Sequence, residues 1–248
     1  MRAAIILSGQ PRFTPDLTDL FDQLQGFDQG DLYILLWKTS WAEDEDTARA
    51  KFEKILPNHW KIAELRVVDE PNYILPPDAP NLGEPHPENV AWWYQRSYLQ
   101  CIGMYMAASL VPQGQYDILF RIRGDCSLTN VVDFSKIDFS DKIIMPNNAL
   151  GWPDHPFNDQ FFAGSYSSMM TLFNCMNELP RYIPLSDPNW ASEPHGRWRG
   201  EWLIGTFLRL TGLETIRGPF SVRMNTYGRS AFTDKHFHHG IAPDPTSQ

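Results

Sequence analysis

The sequence predicts an α/β fold, a mostly parallel mixed sheet with helices on both faces, in a single domain. Three observations predict it. Short apolar runs of strand length alternate with stretches of helical period through the first half of the chain. The clearest helical stretch, residues 88–110, leads straight into an apolar run that ends in charged residues. No repeat and no linker-like composition divides the 248 residues, a length that one large core can serve.

The first strand is expected over residues 3–7, an apolar run that opens into Ser8-Gly9-Gln10-Pro11-Arg12. Glycine lets a backbone approach a ligand, proline ends strand pairing, and a loop after the first strand of an open α/β sheet is the usual ligand position. Apolar residues at 17, 20, 21 and 24 have helical spacing. Residues 31–37 read as the second strand, closing on Trp37, Lys38 and Thr39. The acidic run 41–46 reads as a solvated helix start, continued over 47–56 and stopped near Pro57. A third short strand is expected at 65–68, and 70–89, rich in proline, reads as a long irregular loop.

In the helix over 88–110, Trp92, Leu99, Ile102, Met106 and Leu110 form an apolar stripe, with Arg96 mostly off it. Residues 142–146 read as a strand, 150–158 as a loop, and 159–164 as a strand ending on a glycine. Ser165 is an N-cap for a helix over 166–179, and 183–200 is a second irregular stretch. A helix over 201–210 stops at Gly212, and short strands follow at 214–216 and 221–224. The tail carries His236, His238 and His239 before a loose, proline-rich end.

Composition limits the functions open to such a chain. A formal charge of −9 argues against a general nucleic-acid binder, which needs a basic face. A binder of anions must then concentrate its positive charge locally, and Arg12, Arg96, Arg121 and Arg123 are the candidates. Cys101, Cys126 and Cys175 have no metal-like spacing and are odd in number, which fits reduced thiols. The N-terminal apolar run is too short for a signal peptide, and no run reaches the ~18 apolar residues of a membrane span. The expected location is cytoplasmic.

The chemistry concentrates in residues 116–126, Tyr-Asp-Ile-Leu-Phe-Arg-Ile-Arg-Gly-Asp-Cys. If strand geometry held through Gly124, Arg121, Arg123 and Asp125 would share one face. Two guanidiniums and a carboxylate there suit a ligand with phosphates and a metal. The alternative is a strand end with an ion pair between neighbours.

Four marks appear in order: Ser-Gly-Gln-Pro-Arg at residues 8–12, the Tyr-Asp…Arg-x-Arg-x-Asp strand, Asn-Asp-Gln-Phe leading to a Gly-Ser helix start at 158–165, and a Glu-x-Leu helix from Glu201. Together they resemble bacterial and viral glycosyltransferase-like proteins of surface-polysaccharide biosynthesis, which are similar to the GT-A type nucleotide-sugar transferases. The resemblance spans roughly residues 1–225. It implies a GT-A-like, Rossmann-like domain with a nucleotide-binding half at 1–125, an acceptor-side half at 126–235 and a tail at 236–248. It also implies a hexosyl transfer from a nucleotide-diphosphate sugar to a glycan or lipid-linked acceptor, the latter with peripheral membrane contact.

In that fold an Asp-x-Asp motif holds a divalent metal, Mn²⁺ or Mg²⁺, on the donor diphosphate. Here the matching place reads Arg123-Gly124-Asp125, so Asp125 stands as the metal aspartate and Arg123 replaces the first carboxylate. A C-terminal histidine, His236 among the three, would complete the metal site. The donor contacts implied are Ser8, Gly9, Arg12, Arg96, Arg121 and Arg123, with Trp37 and Thr39 framing the base. Asp159 and Glu201 are the candidate general bases. A non-catalytic glycan- or partner-binding protein on the same fold, and a metal-dependent nucleotidyltransferase, are the other readings.

Overall fold

Apolar runs with no polar alternation are the mark of strands covered on both faces. The chain begins with one, and β1 spans Arg2–Gly9, with Ala3 to Leu7 buried. The computed structural model describes residues 1–9, 18–72, 87–152, 155–178 and 200–224. The helix α1 (Thr18–Asp22) and the short β2 (Leu24–Gln25) lead to β3 (Gln29–Trp37). Helix α2 (Glu45–Glu53) starts at Asp44, whose carboxylate accepts from the Thr47 amide at 2.7 Å, a cap that satisfies an otherwise orphaned donor. Strand β4 (Trp60–Val68) follows, and α3 (Pro87–Ala108) leads into β5 (Ile118–Ile122).

The second half contains β6 (Cys126–Leu128), β7 (Val132–Asp133), a 3-10 turn, and β8 (Lys142–Met145). Then come β9 (Leu150–Trp152), β10 (His155–Phe157) and β11 (Phe161–Ser165). Helix α4 (Tyr166–Met176) is capped by Ser165, and α5 (Gly200–Thr211) precedes β12 (Glu214–Arg217) and β13 (Val222–Met224).

Seven strands form the main sheet in the order β12-β8-β11-β5-β1-β3-β4. Only β11 runs against its neighbours β5 and β8; the other pairings are parallel. The expected α/β class, the mostly parallel mixed sheet and the single domain are what the chain adopts. One core cluster joins one sheet face to α3, α4 and α5, through Ile6, Trp37, Leu119 and Phe162. The other joins the opposite face to α1, α2 and the small strands, through Ile5, Leu36, Phe120 and Phe134. Both faces are covered, as the continuous apolar runs require.

Several expected boundaries are corrected. β1 continues through Ser8 and Gly9, which pair with Leu35 and Leu36, where a loop was expected. β4 begins at Trp60 rather than 65, because a bulge at Ala63 breaks the two-residue period. Leu32 pairs with Ile62 and Tyr33 with Glu64, so Trp60 and Ile62 share a core cluster with Leu65 and Val67 across an odd step. The expected loop at 150–158 contains the β9–β10 hairpin, and β11 begins at Phe161, two residues later than expected. Residues 10–17, 73–86, 153–154, 179–199 and 225–248 lie outside the described residues, and with them Arg12, His236, His238 and His239. Among the described residues, no helix is long and apolar enough to cross a membrane.

Candidate functional site

The strand order changes direction between β1 and β5. From β1 the chain steps outward to β3 and β4, then returns through α3 to β5 on the other side of β1. Open α/β sheets bind ligands in the crevice outside the carboxyl ends of the strands at such a point. A cavity of about 160 Å³ lies there, walled by Ser8 and Gly9 of β1, Trp37 of β3, Gln100 of α3, residues 121–125 and Asp159.

Local chemistry explains each wall. Gly9 has φ +101°, a left-handed conformation open to glycine, so the backbone turns at the end of β1 without a side chain in the way. Helix α3 comes close at Gly103, where a Cβ would stand 3.1 Å from Trp37 Cζ2. Trp37 is 1% exposed and packs in the core while its edge meets the cavity.

The charged group is built by the pairing of β5 with β11. Beyond Ile122 the ladder gains one more bond, from the Arg123 amide to the Gln160 carbonyl at 2.8 Å. The Asn158 side-chain oxygen accepts from the amides of Gln160 (2.6 Å) and Phe161 (3.0 Å). This local turn delays β11 and holds Asp159 beside Arg123. Arg123 donates from Nε to Asp125 Oδ1 at 2.9 Å, from Nη2 to Asp125 Oδ2 at 2.7 Å, and from Nη1 to Asp159 Oδ2 at 2.7 Å. Gln100 Nε2 also donates to Asp159 Oδ2, at 2.9 Å. Burial alone would lower the Arg123 pKa, but Asp159 and Asp125 outweigh it and hold it above the ordinary value.

Arg121 differs in kind. It is 2% exposed, and its Nε and Nη1 have no hydrogen-bond partner among the described residues. Burial pulls its pKa down to about 10, against the opposing influence of Asp159. The guanidinium thus remains charged at neutral pH, in a place that taxes unmatched charge. Burial also pushes the neighbouring thiols of Cys101 and Cys126 up to about 12, so both are neutral.

Strand geometry does not hold through Gly124. β5 ends at Ile122, and Arg123, Gly124 and Asp125 form a turn, with the Cys126 amide donating to the Arg123 carbonyl at 3.3 Å. Arg121, Arg123 and Asp125 still meet one cavity, by way of that turn rather than by alternation. The expected neighbour ion pair exists, and so does the pocket. Of the other predicted residues, Ser8, Gly9, Trp37 and Asp159 also line it. Thr39 does not; its hydroxyl accepts from the Ala42 amide at 3.3 Å in a tight turn. Arg96 lies in α3 and Glu201 in the first turn of α5, but their side chains lie outside what is described. Sequence reasoning missed Gln100, whose signal was its position on α3 one step from the core residue Leu99.

A metal at Asp125 would share its carboxylate with Arg123. Both oxygens of Asp125 accept from Arg123, and the described residues contain no group of three acids, cysteines or histidines placed to hold a metal. In this arrangement the cation that meets Asp125 is the Arg123 guanidinium. No protein-family model and no curated protein matches the chain.

Proposed function

We propose that the protein is a glycosyltransferase that moves a sugar from a nucleotide-diphosphate donor to a glycan or lipid-linked acceptor, on a GT-A-like domain. The observation that carries this reading is the cavity at the carboxyl edge between β1 and β5, with two arginines in its wall. Loss of a diphosphate leaving group needs positive charge preorganised where negative charge develops. Arginine supplies it in a form that never titrates near neutral pH. Asp159, fixed by Gln100 and Arg123, is the candidate base for the acceptor hydroxyl. The four ordered sequence marks support the same reading.

Calorimetric titration with UDP, GDP and CDP, with and without Mn²⁺, tests it. The expected result is micromolar to millimolar binding of one nucleotide, abolished by Arg123→Ala. Absence of binding for all three removes the proposal.

A second reading has its own support. Asp125 and Asp159 both spend oxygens on Arg123, an arrangement that suits a fixed recognition surface better than a proton acceptor. A non-catalytic glycan-binding protein on this fold would bind a glycan and show no donor hydrolysis, and a donor-hydrolysis assay separates the two.

A further inference from the structure

We propose that this pocket holds its anion with arginine charge and no divalent metal, Arg121 taking the ligand while Asp125 and Asp159 lock Arg123 as a resident cation. The inference deepens the transferase reading, on which it rests for the ligand's class, a diphosphate-bearing molecule.

The two arginines are two residues apart and have opposite situations. Arg123 is matched: three charge-assisted bonds tie it to two carboxylates, at 2.7 to 2.9 Å. Such bonds are short and directional. A dication on Asp125 would share the carboxylate with Arg123 and sit against its guanidinium, positive charge beside positive charge. The place a metal would take, between two carboxylates at a strand end, is already filled by a permanent positive charge.

Arg121 is unmatched. It forms part of the cavity wall, is 2% exposed, and has two donors with no acceptor among the described residues. A buried guanidinium left in that condition is costly, and a stable protein tolerates it where an incoming acceptor completes it. Among the described residues, none accepts a hydrogen bond from those two donors, although Asp159 and Asp125 attract the charge through space. Glu70 also lines the cavity but is exposed, so water screens its charge. The volume of about 160 Å³ is below the ~300–1,000 Å³ of sites that enclose whole small-molecule ligands. It suits the diphosphate portion of a larger molecule.

Pyrophosphate is the probe, titrated calorimetrically into the full chain in EDTA and again in MnCl₂. Binding in EDTA within threefold of that in MnCl₂ is expected. Arg121→Met should weaken it at least tenfold and Arg121→Lys by less, with thermal melts checking that both variants fold. Should either variant fail to fold, the wild-type comparison of EDTA with MnCl₂ still decides. The inference is overturned if EDTA abolishes binding, if Arg121→Met folds and binds as wild type, or if pyrophosphate binds in neither condition. Metal-free pyrophosphate binding without binding of any nucleoside diphosphate keeps the anion site and removes the transferase reading.

Discussion

Arg123 grips Asp125 at two points, Nε to Oδ1 at 2.9 Å and Nη2 to Oδ2 at 2.7 Å. The pair joins the two ends of the Arg123-Gly124-Asp125 turn that follows a buried strand, and its side chains are only 22% and 18% exposed. Because the same guanidinium also reaches Asp159, which is 6% exposed, removing it would leave two partly buried carboxylates with a shared loss.

That arrangement sets the first prediction. Arg123→Met should destabilise the protein by about 2–3 kcal/mol, somewhat less than full loss of a buried pair because water reaches part of the group. In a double-mutant cycle with Asp159→Asn, the coupling energy from urea unfolding should exceed ~1 kcal/mol. A coupling near zero would mean the 2.7 Å contact contributes nothing.

Arg121 should behave in the opposite way. Exchanging an unmatched buried cation for an apolar side chain of similar length is expected to stabilise the fold. Arg121→Met should gain about 1 kcal/mol, or a rise of roughly 2–4 °C in Tm for a chain of this size. A loss of similar size would show that the guanidinium has a stabilising partner. The same substitution thus separates stability from ligand affinity.

The buried thiols give a pH dependence with a definite sign. Cys101 and Cys126 are raised from 9.0 to about 12 by burial. Between those values the unfolded chain has released protons that the folded chain keeps, so stability falls as pH rises, by up to about 1.4 kcal/mol per unit for each thiol. Below pH 9.0 the contribution is complete. Cys101→Ala should therefore lose stability less steeply than the parent between pH 9.5 and 11, read by denaturant unfolding at each pH. Equal slopes would show that the thiol ionises as readily folded as unfolded.

Strand β3 carries a steric prediction. A Cβ on Gly30 would overlap the ring of Trp60, which covers it from β4. Gly30→Ala should cost about 1–3 kcal/mol, the usual penalty for overpacking, and the loss of stability should appear in thermal melts. A neutral result would place the indole elsewhere.

Much of this architecture was legible in the residues. Continuous apolar runs such as Ala-Ala-Ile-Ile-Leu at 3–7 and Leu-Tyr-Ile-Leu-Leu-Trp at 32–37 announce strands buried on both faces, and Ser165 announces the start of α4 by its capping oxygen. The first half of β4 was not legible, because the bulge at Ala63 shifts the pattern by one and an edge strand exposes Lys61 and Ala63. The small strands β6, β7, β9 and β10 have two or three residues each, too few for a period to show. At the site, the charged residues at 121, 123 and 125 could be singled out from type and spacing. Who pairs with whom could not: Arg123 and Asp159 are 36 positions apart, and only the β5–β11 ladder brings them together.

The reversed direction of β11 has a geometric consequence. Its neighbours β5 and β8 finish at the edge where the cavity opens, whereas β11 sets out from there. A five-residue strand laid the other way would carry the approach to it roughly 17 Å off, to the far rim. One strand's change of heading therefore lets an acid that precedes it meet a base that follows another, with no long excursion of the chain between the two rims.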